Sequence, residues 1–141
     1  MHMMAQLREF KVLFLGAANT GKSHLRKTLT RRDISDNYIP TLGVDVSPVR
    51  LFGNGNIYRA NIWDCAGDKR YSGMQGGYYM EAAAVVIFKE DGSDGHVKYE
   101  KLLHQLGLND IPKMYIDNYK NQNQTIEHWK QQMYNLLQRR L

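Results

Sequence analysis

Nearly continuous apolar runs mark the strands that we expect at the centre of the fold. Residues 10–15 and 83–88 are apolar and rich in β-forming side chains, which is typical of strands buried on both faces of a parallel sheet. A weaker run at residues 113–116, directly after Pro112, predicts one more strand. These three segments predict a sheet whose interior strands contact protein on both sides.

Weaker alternation of apolar and polar positions predicts a hairpin between the first two central strands. Residues 44–51 and 56–63 alternate and are separated by Phe-Gly-Asn-Gly at 52–55, a strong turn signal. Helical spacing of apolar residues predicts three helices, at residues 23–32, 97–106 and 125–141, with Thr125 as the N-cap of the last.

Alternating strands and helices predict the fold class and the domain organisation. We expect an α/β doubly wound, mostly parallel sheet of about five strands with helices on both faces. A chain of 141 residues suits one domain. We assign residues 1–8 to a flexible tail and residues 9–141 to that single domain.

Composition and charge limit the compartment and the ligand classes that we expect for the domain. The longest apolar run, residues 82–88, is far shorter than the roughly 20 residues that cross a bilayer. Cys65 is the single cysteine and no signal peptide is recognisable, so we expect a reducing compartment inside the cell. Residues 1–70 carry an excess of five positive charges, whereas residues 71–141 carry eight of each sign. A basic first half permits binding of nucleic acid, acidic membrane or a phosphorylated ligand.

The run GAANTGKS at residues 16–23 favours the phosphorylated ligand over nucleic acid and acidic membrane. It fits the phosphate-binding pattern G-x-x-x-x-G-K-[ST] and lies between a predicted buried strand and a helix, as this loop requires. Its backbone N–H groups and the positive end of the helix can cradle phosphates, Lys22 can reach the terminal ones, and Ser23 can offer a hydroxyl to Mg²⁺. A nucleotide thus explains the basic half better than nucleic acid does.

Two further segments fit the same site. Asp64, in the run Trp-Asp-Cys-Ala-Gly at 63–67, follows a predicted strand and can hold Mg²⁺ through water, while the Gly67 amide can contact a terminal phosphate. Between them, Thr41 can place a hydroxyl on the same ion. The remaining basic residues of the first helix, Arg26, Lys27, Arg31 and Arg32, are expected to form its solvated face.

These three segments, in this order, resemble the small Ras-like GTPases, most closely the Ran branch. The run at 10–16 resembles the family's first strand, YIPTLGVDVSP at 38–48 resembles switch I, and WDCAGDKRYSGMQGGYY at 63–79 resembles switch II. The resemblance implies a switch that binds GTP or GDP with Mg²⁺. It implies metal ligands at Ser23, Thr41 and Asp64, catalytic positions at Lys22, Thr41 and Asp68, and nucleotide contacts from Gly16, Ala17, Ala18, Asn19, Thr20, Gly21, Lys22, Ser23, His24, Tyr38, Thr41, Gly67 and Asn118.

Departures from the family pattern predict slow hydrolysis and weak recognition of guanine. Asp68 stands where the family has the glutamine that orients the attacking water, and Ala18 stands where many members have a glycine near the γ-phosphate. The guanine motif N-K-x-D corresponds to Asn-Tyr-Lys-Asn at 118–121, which keeps only Asn118, and no S-A-K loop follows. Lost hydrogen bonds to the base reduce specificity more than they reduce phosphate affinity.

The resemblance also bears on partners and location. It implies binding of nuclear-transport-receptor-like or exchange-factor proteins through switch I (38–46) and switch II (66–79), in the cytoplasm or nucleus. The C-terminal Gln-Arg-Arg-Leu lacks a prenylation cysteine and Met1-His2 does not match a myristoylation signal, so we expect no stable membrane anchor. Only eight residues separate Ile116 from Thr125, too few for the family's fourth helix and sixth strand, so strand 113–116 becomes a sheet edge that can form a dimer.

Two alternatives to a slow Ran-like GTPase remain. A pseudo-GTPase would mimic Ran and compete for its partners with weak or no nucleotide specificity; Asp68, Ala18 and the missing base motifs favour it, whereas Lys22, Ser23 and Thr41 oppose it. A P-loop kinase or generic ATPase would make the switch-like segments a coincidence.

Overall fold

One mixed sheet organises the part of the chain that the structure describes. The computed structural model describes residues 7–17, 20–30, 37–39, 44–65, 79–90, 92 and 94–139. Within these ranges six strands form one sheet in the order β2-β3-β4-β1-β5-β6. The strands are β1 (Leu7–Leu15), β2 (Asn37–Ile39), β3 (Val44–Gly53), β4 (Asn56–Cys65), β5 (Ala84–Lys89) and β6 (Lys113–Asp117).

In the described part of the chain, the two faces of this sheet are covered by α1 (Lys22–Thr30), α2 (Val97–Gln105) and α3 (Ile126–Gln138), with a short 3₁₀ turn at Tyr119–Asn121. Among the described helices, none is long and apolar enough to cross a membrane. The side chains of α1 and α3 join one apolar cluster with Phe14, whereas Tyr99 and Leu103 of α2 join a second cluster with Leu13. The alternation of Leu13 and Phe14 between the clusters shows that β1 is buried on both faces.

The pairing of strands agrees with the predicted fold class. β1 runs parallel to β4 and β5, and β5 runs parallel to β6, while β2, β3 and β4 are antiparallel. The predicted hairpin is confirmed: Asn54 and Gly55 both have positive φ, +49° and +78°, as a two-residue type I′ turn requires. The sheet has one strand more than the expected five, because three residues of β2 pair with β3.

The first strand begins earlier than the pattern predicted. β1 starts at Leu7, inside the segment assigned to a tail, and its residues 7–9 are exposed. They are held by backbone pairing with residues 57–59 of the long strand β4 and by an ion pair of 3.3 Å between Glu9 Oε1 and Arg59 Nε. Since this end is held by pairing and not by burial, the apolar pattern does not reveal it.

The last helix follows its predicted pattern closely. The Thr125 hydroxyl accepts a hydrogen bond from the His128 N–H at 3.0 Å, which confirms the N-cap. Trp129, Met133, Leu136 and Leu137 are buried, and Tyr134 is buried with them and stacks on Tyr58 at 5.0 Å between ring centroids. The Tyr134 hydroxyl donates to the Gly53 carbonyl, so α3 is fastened to the hairpin.

Candidate functional site

The phosphate-binding loop leaves the sheet at its centre. β1 ends at Leu15, and Gly16 follows with φ of +152°, where an added Cβ would lie 2.9 Å from the Phe88 carbonyl oxygen of β5. The Gly16 carbonyl accepts two hydrogen bonds, from Lys22 Nζ at 2.6 Å and from the Tyr99 hydroxyl at 3.0 Å. A backbone group held from α1 and from α2 fixes the start of the loop.

Lys22 lies inside the loop and does not extend into solvent. Its side chain is 6% exposed, and its ammonium donates to the carbonyls of Gly16 and Ala17 at 2.6 and 3.0 Å. Thr20 is also buried and donates to the Ala17 carbonyl at 2.8 Å. A fixed positive charge at the N-terminus of α1 can bind the terminal phosphates of a nucleotide.

Ser23 and Asp64 meet at the carboxyl end of β4. The Ser23 hydroxyl donates to Asp64 Oδ2 at 2.6 Å, and Asp64 is 3% exposed. No group of three or more His, Cys, Asp or Glu side chains suited to a metal occurs in the described ranges. Mg²⁺ usually takes only one or two protein oxygens beside water and phosphate. These two side chains therefore fit a Mg²⁺ ion bound together with a nucleotide.

Arg26 corrects the predicted solvated face of α1. It is only 2% exposed, and its guanidinium contacts three side chains: Nε lies 3.1 Å from Asp64 Oδ2, Nη1 donates to the Ser47 hydroxyl at 2.9 Å, and Nη2 lies 3.7 Å from Asp45 Oδ2. The general rule that surface-helix arginines face water fails here because the buried Asp64 and the half-buried Asp45 stand opposite.

The turn after β6 lies where the family pattern places base recognition, and we call it the base-binding turn. Asn118 adopts a left-handed conformation with φ of +50°, and its N–H donates to the Lys89 carbonyl at 2.8 Å. The turn borders an open cavity of about 360 Å³. The cavity is lined by Thr20, Glu90, Asn118, Tyr119, Lys120 and Asn121.

Tyr119 joins the base-binding turn to the phosphate-binding loop. Its ring packs against Gly21, where an added Cβ would collide with Cδ2, and against Phe88 and Trp129. The Tyr119 hydroxyl lies 2.8 Å from His24 Nδ1. Burial raises the pKa of the Tyr119 hydroxyl above its usual value, and a hydrogen bond with Thr28 opposes part of that rise.

The structure brings together Gly16, Ala17, Thr20, Gly21, Lys22, Ser23 and Asp64, with Asn118 bordering the cavity and His24 reaching Tyr119. Tyr38 lies in β2, of which only the backbone is described. The predicted roles of five more residues fall outside the described ranges and stay predictions: Ala18, Asn19, Thr41, Gly67 and Asp68.

Sequence reasoning missed Arg26, Tyr99 and Tyr119 as parts of the site. Nothing in the local pattern around Tyr99 points to a bond with the loop, because the two are 83 positions apart. Arg26 did leave a signal. The turn, which the structure narrows from the predicted 52–55 to 54–55, places Asp45 opposite Asp64, and a cation between two such carboxylates offsets their repulsion.

A phosphate-binding loop between a central parallel strand and a helix, with a buried aspartate beside it, defines a P-loop nucleotide-binding domain. The family model described as "Ras of Complex, Roc, domain of DAPkinase" matches residues 11–120. The chain therefore belongs to this Roc family of Ras-like GTPase domains, which are GTP-binding switch domains. The match reaches from β1 through the base-binding turn and gives no support to the Ran branch in particular.

Proposed function

We propose that this chain binds GTP and GDP with Mg²⁺ and hydrolyses GTP slowly, so that it acts as a nucleotide switch. The observation that carries the proposal is the convergence of Lys22, Ser23 and Asp64 at the carboxyl ends of β1 and β4. Membership of the Ras-like GTPases supports the same function.

Four described residues of the site have a definite task in this proposal. Lys22 holds the terminal phosphates. The Ser23 hydroxyl and the Asp64 carboxylate would hold Mg²⁺, and the bound ion would offset negative charge on the phosphates. Tyr99 keeps the Gly16 carbonyl in place through its 3.0 Å hydrogen bond. Slow hydrolysis follows from Asp68, since a carboxylate lacks the donor of the family's glutamine and repels the γ-phosphate.

Titration with a fluorescent GDP analogue tests the binding proposal. Lys22→Ala removes a buried ammonium and should weaken affinity by about tenfold to a hundredfold, as for a lost hydrogen bond to a charged group. Lys27→Ala is the matched control, because Lys27 is an exposed lysine of the same helix. Equal affinities of wild type and Lys22→Ala would contradict the proposal.

A single-turnover assay tests the proposed cause of slow hydrolysis. Asp68→Gln should raise the rate of phosphate release from bound GTP by about tenfold or more, since positioning groups of this kind contribute at least that much. An unchanged rate would show that Asp68 does not limit hydrolysis.

A pseudo-GTPase with weak base specificity is the second candidate. The cavity at the base-binding end favours it, because Asn121 stands in the cavity lining where the family has an aspartate. A protein of this kind would bind its partners equally well with GTP, with GDP and without nucleotide. Partner binding that depends on the γ-phosphate would exclude it.

We also propose, as a finer form of the switch function, Ran-like partners in the cytoplasm or nucleus. Support comes from the sequences of switch I (38–46) and switch II (66–79), which resemble those of Ran. Competition with Ran for a nuclear transport receptor is the direct test. Absence of competition in the GTP-loaded form would reject this partner class.

Strand β6 is a further proposed contact, with a second copy of the chain. It stands at the end of the strand order, and Tyr115 on it is 41% exposed. Sedimentation at high concentration should show a dimer that Tyr115→Pro abolishes and Tyr115→Phe retains, since proline interrupts edge pairing. A wild-type monomer at high concentration would refute the contact.

A further inference from the structure

Arg26 is a buried cation at the phosphate-binding end that the proposed function leaves without a task. It is the largest side chain that is completely buried among the described residues. Its position on α1 is three residues after Ser23, so one helical turn carries both the Ser23 hydroxyl and the guanidinium to Asp64 Oδ2. A buried charge of this kind needs partners of opposite charge, because its desolvation costs several kcal/mol.

The partners of Arg26 are two carboxylates that face each other. Asp45 of β3 is the register partner of Asp64 of β4 in the antiparallel ladder. Like charges directly opposite each other destabilise a sheet. The guanidinium lies between them, with Nε at 3.1 Å from Asp64 and Nη2 at 3.7 Å from Asp45. It therefore offsets a repulsion that the sheet itself creates.

The same carboxylate faces a second source of repulsion when a nucleotide is bound. Asp64 lies beside Ser23 at the mouth of the phosphate-binding loop, where the phosphates carry several negative charges. In such a site a divalent cation ordinarily offsets the repulsion between carboxylate and phosphate. Here Asp64 Oδ2 already accepts hydrogen bonds from the Arg26 guanidinium and from the Ser23 hydroxyl.

We propose that Arg26 is a built-in counter-cation that allows the loop to keep a nucleoside diphosphate in the absence of Mg²⁺. The proposal rests on the proposed nucleotide binding and names a property of that site. Because the Asp64 charge is paired within the protein, removal of Mg²⁺ leaves no unpaired carboxylate facing the phosphates. Mg²⁺ then adds little to GDP affinity, although Ser23 and Asp64 can still hold it.

Arg26 also links the metal-binding side of the site to the hairpin. Its Nη1 donates to the Ser47 hydroxyl, which is completely buried. The planar fork of arginine suits three partners in fixed directions, which lysine cannot contact together. A lysine at this position would preserve the charge near Asp64 and lose the bond to Ser47. Arg26→Lys therefore separates the effect of charge from the effect of packing.

The test compares the affinity of a fluorescent GDP analogue in millimolar Mg²⁺ with that in excess chelator, for four proteins. For wild type and the exposed control Lys27→Gln, we expect chelation to weaken binding by less than about tenfold. For Arg26→Gln, the loss on chelation should rise to about a hundredfold, the scale of a lost charged hydrogen bond. Arg26→Lys should restore most of the wild-type ratio.

Each outcome decides the proposal. A loss of more than about tenfold in wild type on chelation, or the same ratio in wild type and in folded Arg26→Gln, would overturn it. The wild-type ratio decides the matter by itself if Arg26→Gln does not fold, which circular dichroism detects. If wild type binds no nucleotide with Mg²⁺ or without it, the proposed nucleotide binding itself fails, and this result differs from binding that depends strongly on Mg²⁺.

Discussion

The two ends of the nucleotide site are built in different ways. At the phosphate end, Lys22, Arg26 and Asp64 are all at least 94% buried and are held by hydrogen bonds that cross from α1 to β4 and to the loop. At the base end, Lys120 and Asn121 are exposed and border an open cavity. Preorganised charge at one end and solvated side chains at the other favour strong phosphate binding with little selection among bases.

The largest expected effect is a loss of stability when Arg26, at the phosphate end, is replaced. Arg26→Met leaves Asp64 buried without its cation, and breaking a buried ion pair in this way costs about 3–5 kcal/mol of unfolding free energy. Urea denaturation measures the loss. The double variant Arg26→Met with Asp64→Asn should recover part of it. A loss below about 1 kcal/mol would mean that the pair contributes no more than an exposed one.

The point where the two ends touch should give the next largest effect. Gly21 has φ of +102° and packs under the Tyr119 ring, so Gly21→Ala should destabilise the protein by about 2–4 kcal/mol from backbone strain and crowding together. Gly107→Ala is the matched control. Gly107 has φ of +74° with open space around it, and strain alone should cost about 1 kcal/mol. Equal losses of unfolding free energy in the two variants would show that the contact between Gly21 and Tyr119 does not contribute to stability.

At the base end, one substitution should increase the selectivity for guanine over adenine. Asn121→Asp introduces a carboxylate that can accept from the N1–H and the exocyclic amino group of guanine, and we expect the ratio of ADP to GDP dissociation constants to rise by about tenfold. Asn123→Asp places the same charge two residues further along the exposed loop and should leave the ratio unchanged. Competition titrations against a fluorescent nucleotide give both ratios. An equal rise in both variants would indicate a general charge effect.

The smallest expected effect concerns the hydroxyl of Tyr119. Tyr119→Phe keeps the ring over Gly21 and loses the hydrogen bonds of the hydroxyl with His24 and Thr28, so the free energy of unfolding should fall by about 0.5–1 kcal/mol. Thermal and urea unfolding are both suitable measurements. A loss above about 2 kcal/mol would show that the hydroxyl, and not the ring, joins the two ends.

The sequence predicted the fold well where burial creates the pattern. Residues 12–15 and 84–88 are buried on both faces, so apolar runs identify β1 and β5 directly. The turn signal at 52–55 located the hairpin, although its register is set by the narrower turn at 54–55, and the phosphate-binding pattern located Lys22 and Ser23. Their meeting with Asp64 followed from the rule that carboxyl ends of parallel strands share one edge of the sheet.

Contacts between distant segments were not predictable in the same way. Arginine on a helix is ordinarily a surface residue. Only the pairing of Asp45 with Asp64 across the hairpin indicates that Arg26 is buried. Tyr119 occupies the position of a family lysine, and its packing on Gly21 depends on the left-handed backbone at Asn118. The early start of β1 at Leu7 depends on the length of its neighbour β4.

One measurement tests the contrast between the ends most directly. Calorimetric titration of the wild-type protein with GDP and with ADP, each in Mg²⁺, compares the same phosphates on two bases. We expect both to bind, with dissociation constants within about tenfold of each other, or about 1.4 kcal/mol. A preference for GDP above about a thousandfold, or no binding of either nucleotide, would contradict a phosphate-dominated site.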